Sequence, residues 1–131
     1  MSQKITFHSG VGSVTGANFL FEIGNKKILV DCGLIQGEKE AMGDNRLPFG
    51  YDPKDIDILF VTHAHLDHVG RIPRLIKEGF EGLIYSTPQT LDLARLILED
   101  AVMLLQKAAE EDGLPPMYNE DDMRRSFSFW K

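Results

Sequence analysis

Ile56-Asp57-Ile58-Leu59-Phe60-Val61 and, one residue later, His63-Ala64-His65-Leu66-Asp67-His68 decide how this chain is read. The apolar run has the character of a buried strand. Three of the four histidines then fall within six residues, with an aspartate between the second and third. Imidazole and carboxylate are the donors that borderline divalent metals such as zinc prefer. In extended backbone, residues two apart project to the same side, so His63 and His65 can address one point. Asp67 and His68, on the turn that follows, can address a second. Two ions held roughly 3.5–4 Å apart would suit that arrangement and would bring the pKa of a bound water down to about 7. A metal-assisted hydrolase is the chemistry these residues point to.

Working back toward the N-terminus, the sequence predicts antiparallel strands. Ile5-Thr6-Phe7 is a short candidate, followed by a glycine-rich bend at 10–16. That bend lacks the Gly-Lys-Ser/Thr ending of a phosphate-binding loop, so it is read as a turn between strands. Phe19–Ile23 and Lys27–Val30 flank Gly24-Asn25, a pair suited to the positive φ angles of a tight hairpin. Asp31-Cys32-Gly33 then ends the second hairpin strand at the sheet edge. An acid in that position is either a solvated turn residue or a carboxylate that orients a ligating imidazole. The need of the histidine loop for support favours the second. Residues 34–53 are a polar excursion with one helical turn expected around Glu38–Ala41.

Downstream, Pro73 suits the first turn of a short helix with Ile72, Leu75 and Ile76 on its apolar face and Gly79 as its stop. Leu83-Ile84-Tyr85 is a further strand. Thr87 caps a long helix from Pro88, in which Leu91, Leu98 and Leu105 alternate with Ala94, Ala101 and Ala108. An amphipathic helix lying on a sheet explains that spacing better than a coiled coil of three heptads. A second short helix is expected from Glu120 to Ser126, with the acids at 110–112 and 120–122 serving as solvated surface and capping charge. The aromatic cluster of Phe127, Phe129 and Trp130 calls for something to pack against.

Composition narrows the function classes. The chain has 131 residues, 43% hydrophobic and 26% charged, as expected of a globular domain or part of one. No apolar stretch is long enough to span a bilayer, and the start lacks the apolar core of a secretion signal. One cysteine, Cys32, allows no internal disulfide and suits a reducing cytoplasm. It reads as a small buried apolar residue, and the isolated His8 as a satisfied or exposed side chain. Formal net charge is −6, which supplies no general attraction for nucleic acid. A substrate of that kind would have to be held by a local groove or by the metal ions.

These residues also resemble a known family. His63-Ala64-His65-Leu66-Asp67-His68-Val69-Gly70 is similar to the signature of the metallo-β-lactamase superfamily, and Asp31 in Ile28-Leu29-Val30-Asp31-Cys32-Gly33 to the aspartate of its first motif. Val14-Thr15-Gly16-Ala17-Asn18 and Ser86-Thr87-Pro88-Gln89-Thr90-Leu91-Asp92-Leu93, with Leu98-Glu99-Asp100, resemble the β-CASP branch of RNA-processing nucleases. The resemblance implies an α/β fold, the N-terminal half of an αββα sandwich with helices on one face of its sheet. It implies zinc ligation by His63 and His65 at a first ion and by Asp67 and His68 at a second. Asp67 would also handle a proton as the catalytic acid–base, and Asp31 would be the outer support.

Members of that family carry further motifs, including two later histidines and a bridging aspartate, and no histidine follows His68 here. The expectation is therefore a partial domain over residues 1–131, a truncated N-terminal segment. Such a segment would bind zinc weakly and be completed by a complementing C-terminal segment or a homo-oligomer. RNA is the expected substrate of the complete enzyme, with no membrane partner. The rival readings are a small-molecule hydrolase of the same fold (a thioesterase or lactonase) and a non-catalytic interaction fragment.

Overall fold

The computed structural model describes residues 2–37 and 41–131. Five strands form one sheet in the order β1-β2-β3-β4-β5: Gln3–Ser9, Asn18–Ile23, Lys26–Val30, Ile58–Phe60 and Leu83–Tyr85. β1, β2 and β3 run antiparallel, while β4 lies parallel to β3 and β5 parallel to β4. The two-residue connection between β2 and β3 permits only an antiparallel pair, and the longer connections that follow permit crossovers. In the β2–β3 turn positive φ is confined to Gly24, at 61°, so Asn25 does not share the left-handed conformation expected of the pair.

One register row explains the core. Leu20, Leu29, Leu59 and Ile84 sit side by side across β2 to β5, and all four are buried. Complete burial of such a side chain stabilises the fold by about 1.5–3 kcal/mol. The neighbouring row, Phe7, Phe19, Val30, Phe60 and Tyr85, points to the other face, where Phe7 and Phe60 are exposed. The sheet is thus apolar on both faces and covered by helices on one. This is the half-sandwich that the sequence leads one to expect.

The expected strand at 56–61 is reduced to β4. Pro53 opens a short 3-10 turn, Pro53–Asp55, which Ile56 closes, and the Asp57 carboxylate accepts the Lys27 N–H at 2.9 Å. Of the helical turn expected at Glu38–Ala41, residues 38–40 lie outside the described residues. Helix α1, Ala41–Arg46, begins at its last position.

Helix α2, Leu66–Val69, carries the second half of the histidine motif, and α3, Ile72–Lys77, follows directly. The long helix α4, Pro88–Asp112, starts where the Thr87 hydroxyl accepts the Thr90 N–H and stops at Gly113, whose φ of 68° is the left-handed cap glycine favours. Ala94, Leu98, Ala101 and Leu105 form its buried stripe.

Helix α5, Glu120–Ser126, opens with a reciprocal capping box between Asn119 and Asp122. Asp122 is therefore buried, unlike its exposed neighbours Glu120 and Asp121. The aromatic cluster after α5 finds its partner inside this chain. Trp130 pairs with Ile84 beside β5, its indole N–H donates to Ser86 Oγ at 2.8 Å, and Phe127 and Phe129 pack against the core.

Candidate metal centre

The carboxyl ends of β3 and β4 lie side by side, and this adjacency builds the site. β3 delivers Asp31, and β4 leads through Val61 and Thr62 into His63. Backbone bonds lace the two loops together. Cys32 N–H donates to His68 O at 2.9 Å, Leu34 N–H to Leu66 O at 3.0 Å, and Ala17 N–H to Asp67 O at 2.9 Å. Gly33 is enclosed by this lacing, since a Cβ there would fall 1.6 Å from the Asp67 carbonyl oxygen. His65, in extended conformation, precedes α2, and its carbonyl accepts the His68 and Val69 N–H groups. The motif is thus an extended pair followed by one helical turn.

His63, Asp67 and His68 each offer a ligand atom, and these atoms lie within 4.8 Å of one another. The His63 and His68 rings are 3.9 Å apart between centroids, and the His65 ring meets His63 edge-on at 4.8 Å. All four motif residues therefore converge, with His65 on the flank of the tighter group. His68 Nε2 lies 3.5 Å from Asp67 Oδ2.

Asp31 organises this cluster from behind. Its carboxylate is buried and accepts three bonds: Thr62 N–H on Oδ1 at 2.8 Å, Thr62 O–H on Oδ2 at 2.7 Å, and His68 Nδ1–H on Oδ2 at 2.7 Å. An ionised carboxylate only accepts, so the proton of the last bond sits on His68 Nδ1 and leaves Nε2 with its lone pair free. The same logic extends to His63. Thr62 has given its only hydroxyl proton to Asp31, so at 3.0 Å it accepts from His63 Nδ1–H. One carboxylate thereby fixes the tautomers of two imidazoles, the outer support that metal-binding histidines require. Thr62 escaped the reading of the sequence. Its position directly before the first histidine was the only signal, and a threonine at a strand end is too common to stand out.

The remaining candidates fall away from the cluster. Cys32 is completely buried, and burial pushes its thiol up to about 12, so it carries no thiolate. His8 is neither satisfied nor fully exposed as expected. Its Nε2 is buried with no hydrogen-bond partner among the described residues, because the ring is wedged edge-on against Tyr51 at 4.8 Å and beside Gly50. The donor set that does converge, imidazole nitrogens with a carboxylate oxygen, fits a borderline divalent cation.

Comparison with known proteins gives the same picture. The chain is 47% identical over 94 residues to Ribonuclease TTHA0252 of Thermus thermophilus, a match covering 72% of this chain and 21% of that protein. It is 37% identical over 113 residues to Transcription termination factor FttA of Methanosarcina mazei, covering 82% of this chain and 17% of that protein. It is 32% identical over 121 residues to Cleavage and polyadenylation specificity factor 73 of Drosophila melanogaster, covering 89% of this chain and 17% of that protein. The chain thus spans about a fifth of the length of these curated relatives. Residues 12–126, which include every residue of the cluster, match the family itself. With its histidine–aspartate motif gathered at the carboxyl ends of a helix-covered sheet, the chain belongs to the metallo-beta-lactamase superfamily.

Proposed function

We propose that these residues form the N-terminal part of the metal centre of a zinc-dependent ribonuclease of the β-CASP branch, acting on RNA phosphodiester bonds. The observation that carries this is the convergence of His63, Asp67 and His68 within 4.8 Å, with the Nδ1 atoms of both histidines tied to the Asp31–Thr62 pair. The names of the relatives, a ribonuclease and RNA-processing or termination factors, supply the substrate class. Residues 1–131 are then a partial metallo-β-lactamase domain, in keeping with the share of the relatives that they cover.

In this reading His63 and His65 would hold one zinc ion, and Asp67 and His68 would hold a second. Bound ions would supply Lewis-acid stabilisation of a phosphoryl oxygen and lower the pKa of water. Asp67, beside His68 Nε2, is the carboxylate placed to take a proton at its free oxygen. Asp31 and Thr62 keep both Nδ1 atoms protonated, so each Nε2 stays available throughout. The lacing of residues 31–34 onto the loop holds these groups on rigid elements, where positioning is most effective. Four protein donors shared between two ions fall short of a closed set at either. These residues alone are accordingly expected to hold zinc weakly.

The test is zinc affinity, by competition with a chromophoric chelator, together with cleavage of a labelled single-stranded RNA by the full-length protein. His63→Ala and His65→Ala should each abolish cleavage and reduce zinc content. Cleavage that survives both substitutions sinks the assignment.

A further inference from the structure

We propose that Asn18 and Tyr51 are positioning residues for the metal centre, acting through the backbone of Asp31. The proposal deepens the function proposed above and rests on it for its catalytic meaning. It begins from a conformational fact. Asp31 has a φ of 62° and is the only non-glycine residue with positive φ among the described residues. For an L-residue that region is disfavoured, and it persists only where surrounding bonds fix it.

Those bonds are identifiable. The Asp31 N–H donates to Phe60 O at 2.8 Å, which fixes the peptide before it. Its carbonyl oxygen accepts from Asn18 Nδ2 at 3.0 Å, which fixes the peptide after it. With both peptides held, the Cα–Cβ bond of Asp31 is fixed in direction, and the bonds from Thr62 and His68 hold the carboxylate toward them. Asn18 is 1% exposed, so its amide cannot exchange these partners for water.

An amide has two chemically opposite ends, and the Asp31 carbonyl, which only accepts, takes the NH2 end. Asn18 Oδ1 accepts from the Tyr51 hydroxyl at 2.9 Å. Burial pushes the Tyr51 phenol well above its ordinary range, so it stays a donor. A flipped Asn18 would set its oxygen against the Asp31 carbonyl oxygen, two acceptors facing each other. Tyr51, donating to the other end of the amide, anchors Asn18 in the orientation that the Asp31 carbonyl selects. Its own ring is fixed in turn, stacked on Phe49 at 5.2 Å, and the Arg74 guanidinium lies 4.8 Å over the Phe49 ring. A hydrogen-bond chain thus runs from the excursion at 49–51 through Asn18 and Asp31 to His68. None of its first three members belongs to the histidine motif.

The experiment compares Tyr51→Phe and Asn18→Leu with Ser126→Ala in the full-length protein. Ser126 is a buried hydroxyl in α5, bonded to Met123 O at 2.6 Å and remote from the cluster, so it controls for general destabilisation. Long-range proton–nitrogen spectra of the metal-free protein at mildly alkaline pH read the His68 tautomer, and chelator competition reads zinc affinity. Wild type and Ser126→Ala should show His68 protonated on Nδ1. Tyr51→Phe and Asn18→Leu should lose that single tautomer and bind zinc about tenfold more weakly. An unchanged His68 spectrum in Tyr51→Phe overturns the proposal, and that variant decides alone if Asn18→Leu fails to fold. Absence of zinc binding by the wild-type full-length protein would refute the metal assignment, whereas the metal-free spectra would still decide whether the chain of bonds orients His68.

Discussion

His68 Nδ1 lies 2.7 Å from Asp31 Oδ2, and this one bond connects two residues that lie 37 positions apart in the sequence. It commits His68 to presenting Nε2 and links the acid that directly follows β3 to the last member of the histidine cluster. Asp31→Asn preserves shape and tolerates the left-handed backbone, but replaces a charged acceptor by an amide. Zinc affinity, measured by chelator competition, should fall by about 10–100-fold while the fold is retained.

Thr62→Val removes one hydroxyl and leaves a side chain of nearly the same shape. The link from Asp31 to His63 Nδ1 would then be broken and the link to His68 kept. About a tenfold loss of zinc affinity is expected, with recovery in Thr62→Ser. If valine binds zinc as tightly as threonine, the hydroxyl does not govern the His63 ring.

Gly33→Ala addresses the lacing of the two loops. The added methyl would occupy the position of the Asp67 peptide, at 1.6 Å from its oxygen and 2.1 Å from its carbon. No rotamer change relieves a clash with backbone, so the loops must separate. A loss of more than about 3 kcal/mol in denaturant unfolding is expected, together with loss of zinc binding.

His8 provides a prediction with a pH signature. Burial lowers its pKa from 6.5, with Arg71 and Lys4 acting in the same direction and Glu22 opposing them. The unfolded chain therefore takes up the proton first as pH falls, and stability declines from about pH 6.5 downward until the folded form protonates as well. His8→Leu removes both this dependence and the unpartnered Nε2. Its Tm should be higher than wild type by a few degrees at acidic pH, with the gap narrowing above neutrality. Parallel Tm–pH curves for the two proteins would show that His8 is not the titrating group.

Some of this architecture is legible in sequence because its causes are local. Six adjacent residues carry the ligand chemistry of the cluster, Thr87-Pro88 carries the start of α4, and the apolar runs Phe19-Leu20-Phe21 and Ile28-Leu29-Val30 on either side of Gly24-Asn25 mark β2 and β3. Other features depend on partners far along the chain. Nothing near Asp31 in sequence announces its positive φ, which is held by Asn18, Phe60, Thr62 and His68. The role of Asn18 depends on Tyr51, 33 positions later, within a segment whose composition reads only as loop. Asp122 looks like surface charge until its capping bond with Asn119 is seen. Trp130 looks unpartnered until its contact with Ile84 places it beside β5.

That placement of Trp130 gives the molecule an optical reporter. It is the only tryptophan of the chain, it is largely buried, and its indole N–H is bound to Ser86, the residue after β5. The fluorescence of this one ring will follow the docking of the segment after α5 alongside β5. The histidine cluster contains no tryptophan, so an emission change on adding zinc would mean that the effect of the ion has crossed β4 and β5.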